Sequence, residues 1–142
     1  MKNKKTKPAY EVIDDFVPDY TNDHIFKVLS GRSFPWYISE KVVDDGDEHW
    51  NSQYYHMLYS NHTHYKSNYY SLIDTIIKKL DPAVILRAKV NSTAYQQNVI
   101  EFPFHVDTSF KSKTCVYYVN DNNGYTYFED GSKVYSKARR LL

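Results

Sequence analysis

Phe104-His105-Val106-Asp107 is the stretch of this chain best equipped to do chemistry. His105 and Asp107 are two residues apart, and in a β-strand that spacing sends both side chains to one face. An imidazole and a carboxylate placed so can take two positions of a metal. A distant second histidine would complete the 2-His-1-carboxylate facial triad of non-haem Fe(II) enzymes. The plain alternative is a His and an Asp on the polar face of a strand, bonded to each other or to water. The other five of the six histidines do not strengthen the metal reading. His62 and His64 repeat the spacing in a polar loop with no carboxylate at ligand spacing, while His24, His49 and His56 are isolated. No His-Glu-x-x-His or Cys-x-x-Cys is present. The single cysteine, Cys115, lies in an apolar run and is expected to be buried and inert.

Several elements must position these residues. The segment 10–17 reads as a first strand that stops at Pro18. Asp19 or Thr21 can cap a short helix from about Asn22 to Leu29, with Ile25, Phe26 and Leu29 on one face and Gly31 at its stop. Phe34 to Ile38 reads as an aromatic strand, the acidic run 44–48 as a solvated loop without EF-hand spacing, and Trp50 to Tyr59 as another strand. From Lys66 to Leu80 the period changes, and Leu72, Ile73, Ile76, Ile77 and Leu80 recur at helical spacing. Lys78 and Lys79 fall in the last turn, where the helix dipole favours cations, and Pro82 follows. Beyond it come strands over 84–90, 99–106, 114–119, 125–128 and 133–135, with turns at Asp121-Asn122-Asn123-Gly124 and Glu129-Asp130-Gly131. Short strands with turns at close spacing predict a sandwich or jelly roll.

Composition sets the outer bounds. At 142 residues there is room for one domain, over 9–142, behind a basic tail at 1–8 that is expected to be disordered. The domain divides into helix-and-strand support over 9–82 and a β core over 83–142. A net charge of +1 with interspersed signs gives no basic surface for nucleic acid, and no apolar run is long enough for a membrane helix. One cysteine and no secretory leader fit a reducing, cytoplasmic setting. With 15 Tyr against 4 Gly, the chain favours strands and large half-buried surfaces.

From Phe34-Pro35-Trp36-Tyr37 onwards the chain resembles the 2-oxoglutarate/Fe(II)-dependent oxygenases, in the prolyl-hydroxylase-like branch that is common in marine phage and environmental sequences. The most specific block runs Phe104-His105-Val106-Asp107, then Lys113-Thr114-Cys115-Val116-Tyr117-Tyr118-Val119-Asn120, then Asn123-Gly124-Tyr125-Thr126-Tyr127-Phe128. It matches the family order of His-x-Asp, a strand ending Tyr-Leu/Val-Asn, and a Gly-x-Thr-x-Phe turn and strand, with a later Arg-Leu strand. The resemblance covers roughly residues 10–142, weakly before Phe34. It implies a mainly β, α+β fold: a double-stranded β-helix of jelly-roll type with helices packed on one sheet. His105 and Asp107 match the first two iron ligands. Tyr118 matches a tyrosine that holds the 2-oxoglutarate carboxylate, and Thr126 a position lining that pocket. Arg87-Ala88-Lys89-Val90-Asn91 matches the strand before His-x-Asp. Thr93 stands where the family often has a tyrosine, so the resemblance implies one missing cosubstrate contact unless Tyr95 substitutes from the loop.

The resemblance implies a hydroxylase that uses Fe(II), O₂ and 2-oxoglutarate, with ascorbate as reductant, on a prolyl or other protein side chain. Succinate and CO₂ would be the co-products. In the host cell of a phage it would be cytoplasmic. The departure lies at the C-terminal side. No histidine follows Asp107, and Arg139-Arg140-Leu141-Leu142 matches only the start of the strand that leads to the family's distal ligand. A C-terminally truncated chain, or one complemented by a further C-terminal segment, is the expectation, with weak or absent turnover. The alternative function is a non-catalytic β-sandwich module that binds a ligand on a tyrosine-rich face.

Overall fold

The structure is a computed structural model that describes residues 10–39, 52–109 and 111–142. The basic tail at 1–8, the acidic run 44–48, and Trp50 at the start of the second aromatic strand lie outside them. Among the described residues the chain is mixed helix and antiparallel sheet, mostly short strands with two α-helices.

The expected strand at 10–17 is reduced to one bridge, Ile13 with Leu141. Pro18 ends the extended run and serves as N-cap of α1 (Asp19–Leu29), its carbonyl accepting from the Thr21 and Asn22 amides. The helix therefore begins earlier than the side-chain caps suggested, since a proline at the cap position already has the φ that a helix entry needs. Its buried face is Asn22, Ile25 and Leu29. Phe26 was expected there but stands 49 % exposed, because 22, 25 and 29 already form the i, i+3, i+7 stripe. After the Ser30 cap the chain turns so tightly that a Cβ on Gly31 would lie 3.1 Å from the Val28 carbonyl oxygen.

Strand β1 (Tyr37–Ser39) starts later than expected, because the Phe34 amide bonds back to Gly31 and the Trp36 indole donates to the Leu29 carbonyl. It pairs antiparallel with β2 (Gln53–Ser60), which is also paired by β3 (Tyr65–Lys66). A 3₁₀ turn over Tyr70–Ile73 then runs into α2 (Asp74–Leu80), so the expected helix is real only in its second half. Ile76 is its one buried residue, and Asp81, in the left-handed region, ends it before Pro82. Lys79 does more than complement the dipole: its ammonium donates to the Phe16 carbonyl at 2.6 Å and lies over the Phe16 ring. Strand β4 (Arg87–Ser92) pairs the other side of β2, completing a four-stranded sheet around that central strand.

Two further strand pairs follow. Strand β5 (Tyr117–Tyr118) joins β8 (Arg140–Leu141), and β6 (Tyr125–Tyr127) forms a hairpin with β7 (Lys133–Tyr135). The turn before β6 closes on Asn122, whose side-chain oxygen accepts from the Gly124 amide. The turn inside the hairpin places Gly131 at φ 85°, a conformation that glycine adopts at no steric cost.

The core gathers Phe16, Val17, Ile25, Leu29, Phe34, Ile76 and Leu141, so helix, loop and the last strand close on one another. Asn22 locks α1 to β5 by donating to the Val119 carbonyl and accepting from the Tyr117 hydroxyl at 2.7 Å. Burial pushes the Tyr117 phenol up to about 12. A second node surrounds His56. Its Nδ1 lies 2.8 Å from the Pro35 carbonyl, which can only accept, so Nδ1 carries the proton and Nε2 accepts from the Ser67 hydroxyl at 2.7 Å. Ser67 in turn accepts from the Tyr69 amide, and Phe34 packs on the imidazole. His56 is thus a structural histidine with both ring nitrogens in use.

Candidate functional site

The segment bearing His105 and Asp107 is not a strand. Residues 93–109 run without regular structure between β4 and β5, and the strand expected over 99–106 does not form. Pro103 removes an amide from the middle of that run, and no ladder pairs it. The assumption that a strand sends His105 and Asp107 to one face is therefore corrected. Val99, Ile100, Phe104 and Val106 are all exposed.

Side chains tether this connector at three points. The Tyr125 hydroxyl donates a very short bond to Glu101, and the Lys133 ammonium donates to the same carboxylate oxygen at 3.0 Å. Lys133 also lies over the Tyr125 and Tyr127 rings. The bonds from Tyr125 and Lys133 hold the Glu101 carboxyl below its usual range, and the Lys133 ammonium, bonded to the Tyr125 hydroxyl at 2.9 Å as well as to Glu101, is raised above its own. Next, Phe104 packs on Tyr127, ring centroids 5.3 Å apart. Last, Arg87 Nη2 on β4 donates to Asp107 Oδ1 at 3.0 Å. The motif therefore lies between the β6–β7 hairpin and the edge of β4.

His105 has its Nδ1 3.1 Å from the Pro103 carbonyl. That oxygen can only accept, so Nδ1 is the donor of this bond, and in the neutral ring Nε2 is the nitrogen left with the lone pair. Asp107 is differently placed, because Arg87 already takes one of its oxygens. Among the described residues no three His, Cys, Asp or Glu side chains come together in a group that could hold a metal. The donor types suit Fe(II), but the residues do not fit a three-ligand iron centre in this conformation.

Tyr118 and Thr126 are brought together. Tyr118 reaches from β5 onto the hairpin, where its hydroxyl lies 2.5 Å from Thr126 Oγ1 and 3.4 Å from the Val134 carbonyl. Thr126 and Val134 are direct partners in the hairpin register, so one phenol stitches two strand pairs at a single point. Burial raises the Tyr118 phenol above its ordinary value, against the opposing effects of the Thr126 bond and the Arg140 charge. Two adjacent hydroxyls can donate to a carboxylate, but Arg140 adds no free fork. Its Nε and Nη2 bind Asp14 at 2.6 and 3.1 Å, and its Nη1 donates to the Tyr135 carbonyl. Tyr95 stands 88 % exposed.

Cys115 is exposed, contrary to the expected burial. It precedes the paired residues of β5, and the apolar look of 114–119 reflects only its second half, where Tyr117 and Val119 pack on the core. Sequence reasoning also passed over Arg87, Glu101 and Lys133. A signal for Arg87 was there: Arg87 and Lys89 alternate on one face of a strand and form a cationic edge that an acidic motif nearby would meet.

No protein-family model matches the chain, no curated protein matches it, and no solved structure matches it. Among the described residues no helix is long and apolar enough to cross a membrane.

Proposed function

We propose that this chain is a domain of the 2-oxoglutarate/Fe(II)-dependent oxygenase type, in the prolyl-hydroxylase-like branch and with a jelly-roll arrangement of its strands. The observation that carries this reading is the 2.5 Å contact between Tyr118 and Thr126. The two positions were singled out as walls of one cosubstrate pocket, and they belong to different strand pairs. The antiparallel hairpin behind them and the pairing of Arg140-Leu141 with Tyr117-Tyr118 support the same reading. In it, the two hydroxyls turn from each other to the carboxylate of 2-oxoglutarate, and His105 and Asp107 supply the protein's share of the metal ligands.

Isothermal titration of 2-oxoglutarate into the chain with Mn(II) tests the reading. Measurable binding should weaken by about ten-fold or more in Tyr118→Phe, the loss expected when a hydrogen bond to a charged group is removed. Succinate formation with Fe(II) and ascorbate should be weak or absent. Lack of 2-oxoglutarate binding, or binding indifferent to Tyr118, overturns the proposal.

A second reading, a binding module with a tyrosine-rich face, is favoured by the β1–β2 pair. There Ile38 and Tyr54 are direct cross-strand partners on one face, both exposed, while Tyr37, exposed as well, is paired with Tyr55 on the other. Ligand binding independent of metal and abolished by Tyr54→Ala would select it.

A further inference from the structure

Strand β4 has the longest strand edge left open among the described residues: β2 covers one side of its six residues, and no strand pairs the other. Alternate residues of such a strand turn their amides and carbonyls outward, which makes the edge a template for another strand. Its two faces differ. Val90 packs on the core, while Arg87, Lys89 and Asn91 alternate on the opposite, exposed face. Two cations two residues apart therefore stand beside open backbone. Arg87 already holds a carboxylate of this chain, Asp107 Oδ1 at 3.0 Å. Lys89 bonds to no acceptor among the described residues. Desolvation and the Arg87 charge lower its ammonium, and the Asp107 charge only partly offsets them. The edge thus carries one cation satisfied within the chain and one that is not.

We infer that the open edge of β4 takes an extended acidic peptide by strand addition, with carboxylates at alternate positions set across from Arg87 and Lys89. Main-chain hydrogen bonds along the edge hold the peptide, and the alternating charges fix its register. Directly opposed side chains on neighbouring strands are about 5 Å apart, so each carboxylate reaches its cation. Asp107 is then a placeholder that competes with the peptide for Arg87. The two side chains are 38 % and 32 % exposed, and a pair so solvated is readily displaced. A second copy of β4 is the poorer occupant. Antiparallel pairing of two such strands gathers the cations of both on one face, where like charges repel. The site uses none of the metal or cosubstrate chemistry proposed above.

The test is the fluorescence anisotropy of a short, end-blocked, rhodamine-labelled peptide alternating Thr and Glu, titrated with the full chain in EDTA. Amide exchange is measured with and without the peptide. The peptide should bind, more weakly as salt is raised, and should slow exchange of β4 amides. The same peptide with Gln for Glu should bind about three- to ten-fold more weakly, a comparison that needs no variant to fold. Lys89→Glu should weaken the Glu peptide by about ten-fold, and Lys89→Gln by less. Asp107→Asn should strengthen it about two- to five-fold, because the competing carboxylate is gone. Absence of binding, equal binding of the Glu and Gln peptides, or indifference to Lys89→Glu overturns the inference. So does binding that leaves exchange in β4 unchanged. A chain that sediments as a dimer with its β4 amides already protected would show that a second copy holds the edge, and the peptide would be ruled out.

Discussion

Strand β2 and the run 99–106 have much in common as sequence. Both are short, contain several aromatic residues, and carry a histidine between apolar neighbours. In the folded chain they are opposites. Strand β2 is paired at its two ends by β1 and β3 along one edge and, apart from an irregularity at Leu58, by β4 along the other. Leu58 and His56 within it are 1 % and 3 % exposed. Along 99–106 there is no ladder, and Val106 is 83 % exposed. The contrast lies in the neighbours and in one proline. A strand needs flanking amides and carbonyls to satisfy its own, and Pro103 withholds one donor where pairing would have to propagate. Where burial and pairing coincide the conformation is costly to change. Where a few side-chain contacts alone hold the chain, a small free energy separates one conformation from another.

The deepest cut into that comparison is Leu58→Ala. Leu58 is nearly sealed inside the central strand, so the truncation should cost about 2–5 kcal/mol, a value that includes the cavity left behind. Urea unfolding followed by tryptophan fluorescence measures it. A loss below about 1 kcal/mol would mean that β2 is as soft as the connector, and the contrast would fail. Phe104→Ala on the connector is the matched control, since its ring is 54 % exposed and touches only Tyr127 among the ring contacts.

These two regions also differ in how far they could be read in advance. The segments at 125–128 and 133–135 were legible because turn chemistry brackets them: an Asx turn on one side and a glycine at positive φ on the other. The α2 stripe was legible from its period, although the first turn tightened to 3₁₀ where Ser67 holds the Tyr69 amide. The connector was not legible, because residue alternation records what a strand could bury and is silent about which strand lies beside it. His56 shows the same limit from the other side. Its role depends on the Pro35 carbonyl and on Ser67, neither adjacent in sequence. Tyr118 and Thr126 were singled out by a resemblance of motif order, and the hydrogen bond between them could not have been reached from strand periodicity.

Between those extremes lies the joint formed by Asp14. Its carboxylate receives Arg140 through both oxygens and Lys137 at 3.0 Å, next to the Ile13–Leu141 bridge. These hydrogen bonds hold it far below the usual carboxylate range. A carboxyl depressed in the folded state contributes stability that is complete above its unfolded value, about 4. That contribution is lost as pH falls toward the native value, since protonation then favours the unfolded chain. The unfolding midpoint should therefore drop on acidification below about pH 4, and Asp14→Asn should flatten the drop. Part of the slope should persist, because Glu101 and Asp130 are depressed in the same direction. An unchanged acid limb in Asp14→Asn would show that the joint is held by the buried Leu141 alone.

The finest test separates tethering from burial within the connector. Glu101 is exposed and its partners are side chains of the hairpin, so Glu101→Gln removes the charge while retaining an acceptor for Tyr125. Exposed ion pairs contribute little to global stability, and the unfolding midpoint should hardly move. Local opening is a different quantity, governed by the few contacts that keep a segment down. Amides near Glu101 should exchange several-fold faster in Glu101→Gln, and those of β2 at the same rate as before. Equal acceleration in both regions would mean that the connector opens only when the whole domain does. Acceleration confined to the connector would mean that Phe104-His105-Val106-Asp107 moves as a unit on a rigid sheet.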